Sequence, residues 1–193
     1  MKLKIGLNPT DIQKAIDYIN PKTNSLLDNI ARIFIKLSLE EIKKIAYRNL
    51  FDTGVSAELI LDIDREWEIQ YQKVGSEYIG QLINTHDKAV YLEFGVGRKG
   101  QQLPHANASK TGYEYDIPTS AKTVNGYWLF SPDDERLIDI APQYYNIVGK
   151  TDKFVLTQGQ PATHYLYNAM IEYMTSGLHK QVWARATKFF LGW

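Results

Sequence analysis

The spacing of apolar residues changes twice along this chain, and the changes divide it into three regions. From Leu26 onward apolar side chains recur at Ile30, Ile33, Phe34, Leu37, Ile42, Ile45 and Ala46. That is helical spacing over more than six turns. A shorter helix precedes it at 8–19, with Asn8 as its cap and Pro9 in its first turn, and Asn20-Pro21 is expected to end it. Ser25 and Asp28 have capping-box spacing for the second helix, and Asp52-Thr53-Gly54 stops it. After Gly54 the period drops to two. LILDID (59–64), WEIQYQKV (67–74), YIGQLINT (78–85) and AVYLEF (89–94) all read as strands. Trp67, Ile69 and Tyr71 fall on one face of the second of these, with Glu68, Gln70 and Gln72 on the other. Short turns at Gly75-Ser76 and His86-Asp87 predict an antiparallel meander over 55–97.

Residues 98–158 break the pattern. Their first part, 98–126, is polar, with Pro104 and Pro118 and few aliphatics, and the whole predicts a long excursion with short strands at GYEYDI (112–117), GYWLF (126–130) and KFVLTQ (153–158). SPDDERLIDIAP (131–142) reads as a loop. Helical spacing returns from Ala162 through Leu166, Ala169, Met170, Tyr173, Met174, Leu178, Val182, Ala186 and Phe189, with Gly177 as a kink or close-approach point. The expected fold is α+β and a single domain over 1–193. Its parts are an N-terminal arm and short helix (1–22), a long helix (23–51), the meander (55–97), the excursion (98–158) and a C-terminal helix (159–193).

Composition adds exclusions. The 193 residues contain no cysteine, which rules out disulfides, thiol catalysis and zinc–thiolate sites. Lys+Arg and Asp+Glu are both 22, so the chain lacks the basic excess of a phosphate-gripping nucleic-acid binder. The N-terminus has no apolar signal core and no window is apolar enough for a membrane span, so the expectation is a soluble, intracellular protein without a membrane partner. The charge is uneven. Residues 1–50 hold nine basic and five acidic side chains, and residues 51–100 hold five and nine. Solvated faces explain this, as do opposite-signed faces that meet between subunits.

Two short motifs invite catalytic or cofactor readings. GVGRKG (95–100) has the glycine spacing of dinucleotide-binding folds. That fingerprint needs a parallel βαβ unit and a helix after the glycines. Here an antiparallel meander precedes it, and Pro104 interrupts the segment after it. Asp52-Thr53-Gly54 matches the aspartic-protease triplet, in which paired carboxylates share a proton. A long helix precedes it where a strand is required, so a helix-to-strand turn is the better reading. His86, His105, His164 and His179 show no metal-ligand spacing, and Asp133-Asp134-Glu135 reads as a solvated turn. The expectation is a non-enzyme with no catalytic residue, no cofactor and no metal. Tyrosines cluster at 113, 115, 127, 144, 145, 165 and 167, which suits an interface or an aromatic core.

Three blocks, taken in order, carry a resemblance. They are FDTG (51–54) after the long helix, AVYLEFGVG (89–97), and GQPATHYLYNAM (159–170) opening the last helix. Together they resemble the neck and tail-completion proteins of long-tailed bacteriophages, also labelled tail-component, minor capsid or head–tail joining proteins. Asp52, Thr53 and Gly54 match the first block. Tyr91, Glu93, Phe94, Gly95 and Gly97 match the second. Gly159, Gln160, Pro161, Ala162, Tyr165, Leu166 and Ala169 match the third. This chain departs from that pattern at Leu50-Phe51 (usually Pro-Val), Val96 (usually Thr), Tyr165 (commonly Phe) and Asn168 (commonly Pro).

The resemblance implies a structural virion protein made in the host cytoplasm. It implies a homo-oligomeric ring of six or twelve copies that joins the capsid portal to the tail. Partners would be further copies, portal-side neck proteins and tail proteins, with DNA only as passing cargo. A tail terminator or a minor capsid protein is the alternative, followed by a non-phage adaptor or an enzyme using the Asp52 turn. The resemblance also implies that Gly95 and Gly97 release a strand from the sheet. Glu93 would pair either across a subunit boundary or with a backbone amide of its own chain.

Overall fold

The computed structural model describes residues 9–75, 77–115, 122–124, 127–130, 147–150 and 155–191. The fold is α+β, with an antiparallel sheet packed against a long N-terminal helix and C-terminal helices. Helix α1 is one element, Pro9–Asp52, of 44 residues. It runs through Asn20-Pro21, where the sequence predicts a stop, and the Ser25–Asp28 pair lies within it. Proline forfeits a single backbone bond at a cost of about 3 kcal/mol. The helical stretches on both sides outweigh that loss. Asp28 does not cap; its carboxylate meets Lys73 of the sheet.

LILDID is not a strand but lies in helix α2, Ala57–Arg65. Leu59, Ile60 and Ile63 are buried, while Leu61 is 47% exposed. Those buried positions follow i, i+1, i+4, a helical stripe. Ser56 starts the helix: its side chain accepts from the Leu59 N–H at 3.3 Å. AVYLEF is likewise helical, in α3, Asp87–Phe94. His86 Nδ1 accepts from the Lys88 N–H at 3.1 Å and holds the first turn. The first sheet is therefore one hairpin, β1 (Trp67–Val74) and β2 (Glu77–Asn84), paired without a slip from Trp67↔Asn84 to Val74↔Glu77. Its inner face carries Trp67 and Ile69, as the alternation predicts, with Tyr78 and Leu82 of β2; Tyr71, on the same face by register, is exposed. Gly80 lies so close to α1 that an added Cβ would sit 2.4 Å from Ile35 Cγ2 and 2.9 Å from Leu39 Cδ1.

Two short helices come next, α4 (Gly97–Gln102) and α5 (Ala108–Thr111). A second, four-stranded antiparallel sheet has the order β3-β4-β6-β5, from Lys122–Val124, Tyr127–Phe130, Val155–Thr157 and Ile147–Lys150 respectively. GYWLF and KFVLTQ thus contribute β4 and β6. GYEYDI does not form the expected strand over its described part, because Tyr113 and Tyr115 lie in an irregular stretch after α5. The loop reading of 131–142, with Asp133-Asp134-Glu135, lies outside the described residues. The C-terminal helix is two helices, α6 (Tyr165–Thr175) and α7 (Leu178–Leu191). Gly177 at φ +81° ends the first, since that conformation suits glycine alone at little cost.

The core lies where α1, α2, α3, α6 and α7 meet. Ala46, Leu50, Ile60, Ile63, Leu92, Tyr165, Ala169 and Val182 are its most enclosed side chains. A buried hydroxyl pair within it is satisfied: Tyr173 donates to Ser38 at 2.6 Å, and Ser38 donates to the Phe34 carbonyl at 2.7 Å. Among the described residues no helix is long and apolar enough to cross a membrane.

Candidate functional site

The second and third motif blocks, some 65 residues apart in sequence, interlock in space. Glu93 is at their centre, 7% exposed at the end of α3. Its Oε2 accepts from the Leu166 N–H at 2.8 Å, and its Oε1 from the Tyr167 N–H at 2.9 Å. These are free amides of the first turn of α6, the positions that a capping side chain normally serves. The residue at the cap position, His164, gives no side-chain bond of its own and adopts a left-handed φ of 55°. Glu93 therefore caps α6 from another segment. A carboxylate also suits the positive end of the helix dipole. Of the two roles open to Glu93 in the sequence, the geometry shows pairing with backbone amides of its own chain.

His105 completes the cluster. Its ring is 4% exposed, and Nε2 lies 3.0 Å from Glu93 Oε1. The ring's Nδ1 accepts from the Asn107 N–H at 3.0 Å. That fixes the tautomer: the proton sits on Nε2 and is donated to the carboxylate. The Tyr115 hydroxyl accepts from the His105 backbone N–H at 2.7 Å. Phe94 packs against the same ring at 4.4 Å, and His164 stacks on it at 4.7 Å with 26° between planes. Burial lowers the pKa of His164, and the neighbouring His105 adds to this; Glu93 pulls the other way. Burial also pushes the Tyr113 and Tyr165 hydroxyls well above the usual phenol range.

A backbone seam runs beside this cluster. Val96 and Gln160 exchange N–H···O bonds at 2.9 and 3.2 Å. The glycines allow that approach. A Cβ on Gly95 (φ 75°) would sit 2.4 Å from the Ala162 nitrogen, and one on Gly159 (φ 80°) 2.2 Å from the Val96 carbonyl oxygen. Thr163 donates from both its N–H and its hydroxyl to the Leu92 carbonyl, each at 2.8 Å. The Gln160 side-chain amide donates to the Tyr91 carbonyl at 2.9 Å, and Tyr113 donates to the Gly95 carbonyl at 2.6 Å. The glycines of GVGRKG thus come after a helix, not a strand, and a helix of six residues does start at Gly97. Both points correct the sequence reading. The dinucleotide pattern still fails, because no strand leads into the glycines and the chain's own 159–162 segment fills the space against Gly95.

The first block joins the third through its neighbours. The Asn49 side chain donates to the Tyr165 carbonyl at 3.1 Å, and Leu50 and Tyr165 are both buried in the core. Thr53 bonds back to the Leu50 carbonyl at 2.6 Å through its hydroxyl, and Gly54 turns the chain at φ 75°. Asp52 itself is exposed at the end of α1. Pro161 is exposed, and Leu166 is half-buried against the core. Sequence reasoning missed His105, Thr163 and Asn49. An isolated histidine in a polar stretch carries no periodic signal that would single it out.

The arrangement is a lock between segments. Both oxygens of Glu93 and both nitrogens of His105 are occupied within the chain, so this Glu–His pair presents no free atom to a substrate. No protein-family model, no curated protein and no solved structure matches this chain.

Proposed function

We propose that this chain is a structural protein of the bacteriophage neck, a subunit of the ring that joins the capsid portal to the tail while DNA passes through. The observation that carries the reading is the convergence of the three motif blocks. Residues that resemble the phage neck and tail-completion proteins help to close the scaffold: Thr53 and Gly54 at the end of α1, Glu93 and Gly95 on one side of the seam, and Gly159, Gln160 and Tyr165 on the other. A rigid scaffold of this kind fits a subunit that must repeat identically around a ring. The near-zero net charge fits a protein that associates and encloses DNA without gripping it.

The test is mass by light scattering over a concentration series, alone and with purified portal complexes. A closed species of six or twelve copies, or stoichiometric capture on portals, is the expected result. A chain that stays off both portals and tails at every concentration sinks the proposal. Capture on tails alone moves the protein to the tail-terminator role.

A further inference from the structure

Among the described residues β1 is an open edge of the β1–β2 hairpin. The register decides which backbone groups face outward. Glu66 accepts from the Thr85 N–H at 3.1 Å, just before Trp67↔Asn84. Inward bonding alternates along an antiparallel pair, so Glu68, Gln70, Gln72 and Val74 bond towards β2. The N–H and C=O groups of Trp67, Ile69, Tyr71 and Lys73 therefore point off the free edge. Among the described residues no backbone group from another element bonds to them.

Proteins usually guard such an edge with proline, a bulge or a swinging charge. Here β1 has no proline and its register is unbroken over eight residues. Its one lysine, Lys73, is held against Asp28 of α1 and lies 5.3 Å from the centre of the Tyr78 ring. Tyr71 belongs to the inner face, opposite Gly80, yet is 48% exposed. β1 thus reaches past the cover that α1 gives the sheet.

We propose that β1 is the docking edge for a second copy of this chain, paired antiparallel about a two-fold axis at Gln70. That register alone uses all four outward-facing residues. Trp67 exchanges bonds with Lys73 of the second copy, and Ile69 with Tyr71, so the uncovered tyrosine gains an apolar neighbour. It also suits the charges. Glu68 faces a glutamine, Gln72, whereas a parallel in-register pairing would set Glu68 on Glu68 and Lys73 on Lys73. The product is a continuous sheet in the order β2-β1-β1-β2. This contact is isologous, so it is separate from the head-to-tail contact that closes a ring.

The absence of native cysteine makes the register directly testable. In this pairing the two Gln70 Cα atoms lie about 4.5 Å apart, within disulfide reach. Two Glu68 residues stand four positions out of step, roughly 13 Å. Gln70→Cys should therefore cross-link under mild oxidation about tenfold faster than Glu68→Cys or Gln81→Cys. Light scattering of the native protein should give an even multiple of one chain: two where no ring closes, and an even-membered ring where the head-to-tail contact also forms. Tyr71→Pro removes an outward N–H that the hairpin itself does not use, and should return a two-chain mass to one chain with the helical circular dichroism retained. Equal cross-linking at 68 and 70 overturns the inference, as does a native monomer at high concentration. A six- or twelve-membered ring whose Gln70→Cys variant does not cross-link also overturns it, while leaving the proposed neck function standing.

Discussion

At the scale of single residues, Glu93 does what two or three local side chains do elsewhere. It accepts three N–H groups from two segments, and all are charge-assisted bonds in a buried place. Glu93→Gln keeps the volume but turns an NH2 towards a donor. It should cost about 2 kcal/mol, the usual penalty for stranding a buried partner of a charged group. Chemical denaturation with an unchanged m-value would show it. A loss under about 0.5 kcal/mol would mean that Glu93 does not hold α6.

His164 adds a pH dependence. Its folded pKa lies below the ordinary 6.5, so the native state resists its protonation. The unfolded chain then binds more protons as the pH falls, and this contribution to stability, present above 6.5, is lost on acidification. The melting temperature should therefore drop as the pH falls through and below about 6.5. His164→Asn tolerates the same left-handed φ without titrating, so it should show a smaller drop. Equal drops in both proteins would remove His164 from the account.

Elements were legible where a period was long and failed where it was short. The apolar stripe from Leu26 to Ala46 and the alternation of Trp67, Ile69 and Tyr71 extend over enough residues to exclude the rival period. LILDID does not. Read as a strand it buries Leu59, Leu61 and Ile63; read as a helix it buries Leu59, Ile60 and Ile63. Six residues satisfy either pattern, and the fold chose the second. The deciding signal was Ser56, a cap just ahead of the run. For AVYLEF it was His86, whose ring nitrogen caps α3. Ser56→Ala tests the first case: it should lower stability by about 1 kcal/mol, seen as a lower melting temperature with unchanged helical circular dichroism at low temperature. An unaltered melting temperature would mean that α2 is held by its buried face alone. The lock was half legible. Glu93 and the glycines stood out because their types are unusual at the end of an apolar run. His105 and Thr163 did not, because their role exists only once distant segments meet.

At the scale of the whole molecule, α1 and the seam share the work. α1 packs against both C-terminal helices and both strands of the hairpin, and the seam fixes α3 to α6. Burial of Leu50 and Ile60, 1% and 0% exposed, ties α1 and α2 into one core. The Val96–Gln160 bridge has a further consequence. The Gly97 N–H donates to the Tyr115 carbonyl at 2.9 Å, and the Lys99 N–H to the Gln158 carbonyl at 3.1 Å. Two donors two residues apart therefore clamp the points where the chain departs and returns. The second sheet is built wholly from residues between those points. Replacing 116–156 with a short Gly/Ser linker should leave a folded scaffold, with protection of α1 and α6 amides from hydrogen exchange preserved. Collapse of that protection would show that the second sheet supports the first. Doubling a loop's length costs only about 0.6 kcal/mol in closure entropy. The clamp is thus a grafting port: what hangs from it can be lengthened, trimmed or exchanged over evolution while the body that carries it stays the same.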